Sequence, residues 1–176
     1  LCEKAGFDYI EIRLDMLTDY LKRHTVEELA AFFCTSRLKP HAFNALYLYP
    51  EFLSEGDDEA RQKELLEEFR LGCEVGRAIG SHYFIIVPPL QRDPAGGPYT
   101  GSWEDTFSNC VRILKELSRR AEPYDMNLCF ELVGFERSSV RSIGQADAVV
   151  RAVDRPNVGF VFDSYNIFLN GGCNDF

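Results

Sequence analysis

The fold is decided by two short apolar runs, Asn127-Leu128-Cys129-Phe130-Glu131-Leu132-Val133 and Val158-Gly159-Phe160-Val161-Phe162-Asp163. Both are rich in aliphatic and aromatic residues, which is typical of strands buried in a parallel sheet. Between them, Ser142 opens a segment whose apolar residues recur at helical spacing, from Ala146 to Val153. The region therefore predicts a strand, a crossover helix and a second strand parallel to the first.

The same unit recurs through the rest of the chain. Three earlier apolar runs predict strands, at Tyr9–Leu14, His41–Leu48 and Tyr83–Val87, and amphipathic segments separate them. Thr25 and Ser102 stand at cap-like helix starts. Alternating strands and helices suit either a doubly wound sheet or part of a (β/α)₈ barrel. No GxGxxG motif follows a strand, which disfavours a dinucleotide-binding fold.

The length of 176 residues suits one α/β domain, residues 1–176, but not a closed barrel. A complete (β/α)₈ barrel takes about 250 residues, and five strands are about five eighths of one. An open barrel would leave strand edges bare. We therefore expect an incomplete barrel domain belonging to a longer chain of roughly 250 residues or more.

Composition excludes several classes of protein. Hydrophobic residues make up 45% and charged residues 27%, which excludes a disordered or collagen-like chain. No run of 18 apolar residues is present, so no membrane span is predicted. The net charge of −9 disfavours a nucleic-acid partner. The six cysteines form no CxxC motif, which fits a protein of the reducing cytoplasm, and Cys73 and Cys110 fall on apolar helix stripes and are predicted to be buried.

The last two predicted strands each carry a carboxylate at or near the carboxyl end. Glu131 lies late in the fourth run and Asp163 ends the fifth, so both are expected at the carboxyl edge of the sheet. Strand alternation directs both side chains inward. Two facing carboxylates repel unless a cation joins them, which favours a divalent metal with a His from elsewhere. Alternatively, Asp163 caps a following helical turn.

Other polar residues could contact a substrate. Arg13 could hold a substrate oxygen, although an ion pair with Glu11 on the same strand face is favoured. Asn44 could hydrogen-bond a hydroxyl-rich substrate or close a buried polar contact. Trp103, after the third strand, could wall the pocket or pack in the core.

These segments resemble the sugar phosphate isomerase/epimerase group of xylose isomerase-like TIM barrels. The resemblance runs almost end to end and is most specific at Cys129–Gly134 and Asn157–Tyr165, with further likeness at Tyr9–Arg13 and Phe43–Leu46. It is nearest to the branch that isomerises inosose. It implies that the five strands are numbers two to six of eight.

The resemblance also implies a metal bound by two carboxylates, a His and a further Glu. Glu131 and Asp163 match the first two ligands, and the other two are expected beyond Phe176. The family often has His three residues after the Asp, where this chain has Asn166, which we expect to contact substrate. The implied metal is Mn, Zn, Co or Mg.

The implied activity is a metal-dependent isomerase that moves a proton between carbons next to the carbonyl of inosose or a related keto sugar. Glu131 is then both a ligand and a candidate acid/base, while Arg13 and Asn44 orient substrate oxygens. Alternative enzymes of the same fold are a keto-sugar epimerase, a hydroxypyruvate-type isomerase and a sugar-acid dehydratase. An abasic-site endonuclease is a further alternative, which the net charge disfavours. The last alternative is a non-catalytic sugar-binding protein. A homo-oligomer is possible.

Overall fold

The computed structural model describes residues 1–48, 59–91 and 95–171. Within these ranges five strands alternate with helices. The strands are β1 (Tyr9–Arg13), β2 (Lys39–Tyr47), β3 (Tyr83–Val87), β4 (Asn127–Glu131) and β5 (Val158–Val161). The helices are α1 (Leu14–Leu21), α2 (Val26–Thr35), α3 (Glu59–Ile79), α4 (Trp103–Ala121), α5 (Ile143–Val153) and α6 (Ser164–Leu169), with a 3₁₀ turn at Glu122–Tyr124.

The five strands lie in one sheet in the order β1-β2-β3-β4-β5, and every neighbouring pair is parallel. A doubly wound sheet reverses its strand order at a switch point, whereas a barrel keeps consecutive strands side by side. The observed order therefore selects the partial barrel from the two architectures that the sequence left open. That these strands are numbers two to six of eight stays a prediction.

The two faces of the sheet have different surroundings. Phe43, Phe84 and Phe130 are fully buried and belong to the main core, together with apolar residues from α3, α4 and α5. The other face carries a smaller cluster that includes Ile85 and Val87. The helices thus cover the outer face, and the second face corresponds to the barrel interior.

Local sequence explains the helix starts. Thr25 and Glu28 form a capping box, as do Ser142 and Gln145, so the first backbone N–H groups of α2 and α5 are satisfied. Ser102 accepts a hydrogen bond from the backbone of Asp105 at the start of α4. Cys73 and Cys110 are fully buried, as predicted.

Element boundaries differ from the prediction at several strand ends. Leu14 begins α1 instead of ending β1, and this short helix was not predicted. β5 ends at Val161, because Asp163 caps α6. No helix within the described ranges is both long and apolar enough to span a bilayer.

Candidate functional site

Glu131 and Asp163 come together at the carboxyl edge of the sheet. Glu131 is the last residue of β4, paired in register with Val161 of β5, and Asp163 follows two residues later. Cys129 and Val161 pack against the cluster on the interior face, so strand alternation places Glu131 on the interior side. Two adjacent parallel strands therefore deliver one carboxylate each.

Asn166 bridges the two carboxylates. Its amide nitrogen donates to Oδ2 of Asp163 at 2.8 Å and to Oε1 of Glu131 at 3.3 Å. Its amide oxygen accepts from the backbone N–H of Gly134 at 3.2 Å. In this structure the polar atoms of Asn166 bond to three protein partners, and its predicted substrate contact stays a prediction.

Asp163 caps a helix, which is one of the two interpretations that the sequence left open, and its role as a metal ligand stays a prediction. Its Oδ1 accepts from the backbone N–H of Tyr165 at 2.8 Å, so it caps α6. Its Oδ2 faces Asn166. Capping occupies one oxygen only, so the cap does not remove this carboxylate from the site.

Glu131 lies in a half-buried, negatively charged environment. Burial, followed by the charges of Asp163 and Glu11, raises the pKa of this carboxyl to about 7, and the Asn166 hydrogen bond opposes that shift. Ile10 and Ile12 of β1 pack against the main core, so strand alternation turns Glu11 toward the same interior face. The site therefore concentrates negative charge, which a bound cation would relieve.

The predicted ion pair between Glu11 and Arg13 is wrong. Arg13 binds Asp15 through two hydrogen bonds, one at 2.6 Å and one at 3.0 Å, and Glu11 instead accepts from the Asn44 amide at 2.9 Å. Asp15 lies in the first turn of α1, so the Arg13 guanidinium pairs with a residue after the strand instead of with Glu11 on the strand. The pairing lowers the pKa of the Asp15 carboxyl through the hydrogen bond from Arg13.

Arg13, Glu11 and Asn44 line one cavity of about 670 Å³ at the carboxyl ends of β1 and β2. Asp15 and Glu68 also line it, and burial raises the pKa of Glu68, with a smaller contribution from the charge of Asp15. Neither Asp15 nor Glu68 was among the predicted site residues. The only signal for Asp15 is its position directly after the strand.

Trp103 packs against the core, which was one of the two alternatives predicted for it, the other being the wall of the pocket. Its ring lies 5.7 Å from that of Phe107, and it packs against the main core. Its substrate contact stays a prediction.

The residues present fit part of a metal centre. Glu131 and Asp163 supply oxygen donors of the kind that divalent cations accept. The two carboxylates repel each other, and a bound cation would offset that repulsion. Among the described residues, no group of three or more His, Cys, Asp or Glu side chains could hold a metal ion. If the predicted set of four ligands exists, Glu131 and Asp163 would be the two that the described part of the chain supplies.

Comparison with known proteins gives the family. The family described as "Xylose isomerase-like TIM barrel" matches residues 1–176. The inosose isomerase of Halalkalibacterium halodurans is 37% identical over 171 residues, which are 97% of this chain and 57% of that protein. The inosose isomerase of Bacillus velezensis is 38% identical over 172 residues, 97% of this chain and 58% of that protein.

A solved structure is also similar to this chain. The crystal structure of the IOLI protein with a binding zinc atom matches with a TM-score of 0.82 at 37% identity, covering 97% of this chain and 58% of that one. The chain therefore spans 57–58% of the length of these relatives. It belongs to the xylose isomerase-like TIM barrel family.

Proposed function

We propose that this chain is part of a divalent-metal-dependent isomerase. The enzyme would move a proton between carbons adjacent to the carbonyl of inosose or a related keto sugar. One observation carries the proposal: Glu131 and Asp163 lie at the edge of adjacent strands and share the donor Asn166. The 37–38% identity to inosose isomerases supports the choice of substrate.

Glu131 and Asp163 would hold the cation, which we expect to be Zn, Mn, Co or Mg. The related IOLI structure carries zinc. When bound, the cation supplies a Lewis acid that polarises the carbonyl and its neighbouring hydroxyl. The remaining steps belong to the residues of the protein.

Glu131 is proposed as an acid/base group as well as a ligand. It ends β4 at the interior face, where a bound sugar would present its reacting carbons. Its position at the interior end of the strand would place its carboxylate within reach of those carbons, which a group that transfers a proton requires.

The cavity at β1 and β2 would bind the hydroxyl groups of the substrate. Asn44 is held by Glu11, so the pair presents an amide and a carboxylate in a fixed relation. Arg13, fixed by Asp15, adds a cationic donor to the same cavity. Trp103 and Asn166 complete the predicted substrate contacts. A polyhydroxylated ring suits such paired donors and acceptors.

The cellular setting is part of the proposal. The five described cysteines are free thiols, which suits the reducing cytoplasm. The partner is a small keto sugar, and the net charge of −9 disfavours nucleic acid. A homo-oligomer stays a prediction.

The test is metal content and proton exchange in the intact protein. We expect E131Q and D163N to lose bound metal and to abolish deuterium exchange beside the carbonyl of inosose, followed by NMR. The control is D147N, whose carboxylate pairs with Arg151 on α5. Unchanged metal content and exchange in both site variants would refute the proposal.

A further inference from the structure

The Asn166 side chain bonds to both candidate metal ligands, Glu131 and Asp163. We propose that Asn166 is a positioning residue that fixes the orientation of both carboxylates for the cation, an inference that rests on the proposed function.

The hydrogen bonds of Asn166 require an amide. An ionised carboxylate only accepts hydrogen bonds and the Gly134 N–H only donates, so these partners define which amide atom is nitrogen and which is oxygen. One NH₂ group supplies two hydrogens, one for each carboxylate. A neutral imidazole has a single N–H, so it cannot reproduce this bridge.

Asn166 is itself firmly held. It is only 7% exposed and lies on α6, the helix that Asp163 caps. A Cβ at Gly134 would collide with the backbone carbonyl oxygen of Asn166 and would lie 2.7 Å from Cβ of Leu169. The loop after β4 therefore packs directly on α6, which keeps the amide in place.

This arrangement leaves room for a cation. Each carboxylate oxygen has two lone pairs, and Asn166 occupies one lone pair on one oxygen of each side chain. Glu131 and Asp163 are thus oriented without being saturated. Groups that orient ligands in this way commonly contribute 10- to 100-fold to metal affinity.

The experiment measures metal affinity in the intact protein, by chelator competition with Zn²⁺ and by the visible absorption spectrum of the Co²⁺ form. We expect N166L, which keeps the size but removes the donors, to weaken Zn²⁺ binding about 10- to 100-fold and to alter the Co²⁺ bands. N166A serves as a second variant should the leucine fail to fold.

The matched control is N157L. Asn157 bonds Ser118 and the backbone of Met126 on the helix side, so its loss destabilises the fold without touching the carboxylates. We expect N157L to lower the unfolding temperature but to keep the Zn²⁺ affinity and the Co²⁺ spectrum.

The outcomes separate the two proposals. Loss of metal in E131Q and D163N with wild-type affinity and spectrum in N166L and N166A overturns the role of Asn166 alone. Wild-type metal binding in E131Q and D163N overturns the proposed function. Equal losses in N166L and N157L also overturn the role of Asn166.

Discussion

At the scale of single residues, the surroundings of Glu131 determine the pKa of its carboxyl. Burial, Asp163 and Glu11 all favour its neutral form, and Asn166 alone opposes them. Such an arrangement costs stability in the absence of a cation. Residues arranged at such a cost are typical of functional sites.

The stability of the metal-free protein should fall as pH rises from about 4.5 to about 7. In that window the folded state keeps a proton on Glu131 that the unfolded state has released, so raising the pH favours unfolding. E131Q should remove this slope and gain about 1 kcal/mol at pH of about 8, a modest value because solvent partly screens the group.

Urea unfolding in EDTA at about pH 5 and about pH 8 measures this effect. D147N, with its carboxylate in an exposed pair on α5, is the control. An identical pH slope in E131Q and the wild type would contradict the prediction.

Arg13 should affect substrate binding without affecting stability. Its pair with Asp15 is largely exposed, so R13A should change the unfolding free energy by less than about 1 kcal/mol. Loss of a charge-assisted hydrogen bond to substrate should raise KM roughly tenfold or more with kcat nearly constant.

Steady-state kinetics with inosose measure the prediction for Arg13, and R37A provides a matched variant. Arg37 forms a comparable exposed pair with Asp8 outside the cavity. If R13A and R37A had the same KM as the wild type, Arg13 would have no role in substrate binding.

At the scale of elements, the contact between the loop after β4 and α6 determines the site. Gly134 permits the close approach, because a side chain there would meet the backbone of Asn166. The short α6 brings Asp163 and Asn166 together, three residues apart, on one turn. The carboxylate pair therefore depends on how a loop and a helix pack as well as on two strand ends.

G134A should destabilise the protein by about 1–3 kcal/mol, because the added methyl group forces the loop and the helix apart. Gly159, on β5, is the matched control, since a Cβ there meets no atom within 4 Å. Urea unfolding of both variants measures the difference. Equal stability of G134A and G159A would contradict the tight contact described here.

At the scale of the whole molecule, binding of a cation should stabilise the fold. A ligand that binds only the folded state adds about 2.7 kcal/mol when it is present at 100 times its Kd. Zn²⁺ should therefore raise the unfolding temperature of the intact protein, and EDTA should reverse the rise.

Scanning calorimetry with and without Zn²⁺ measures this stabilisation. D163N should show no rise, whereas D147N should behave as the wild type does. An equal rise in both variants would mean that Zn²⁺ stabilises the protein at another place.

Much of the fold could be predicted from local sequence. Tyr83–Val87 was predicted to the residue as a strand, because its apolar run is continuous and Pro88 stops it. Thr25 marked the start of α2 through its own cap. The proximity of Glu131 and Asp163 also followed from sequence, since parallel strands end at the same edge.

Sequence alone thus determined the five strands, the helices α2 to α5 and the two candidate carboxylates, because periodicity, caps and strand polarity are properties of neighbouring residues. Only the tertiary structure decided the sheet order, the choice of Asp15 over Glu11 as the partner of Arg13, and the bridge from Asn166. These features depend on how segments distant in sequence, or turns between elements, pack in space. A carboxylate pattern can identify candidate ligands, but packing determines which side chain orients them.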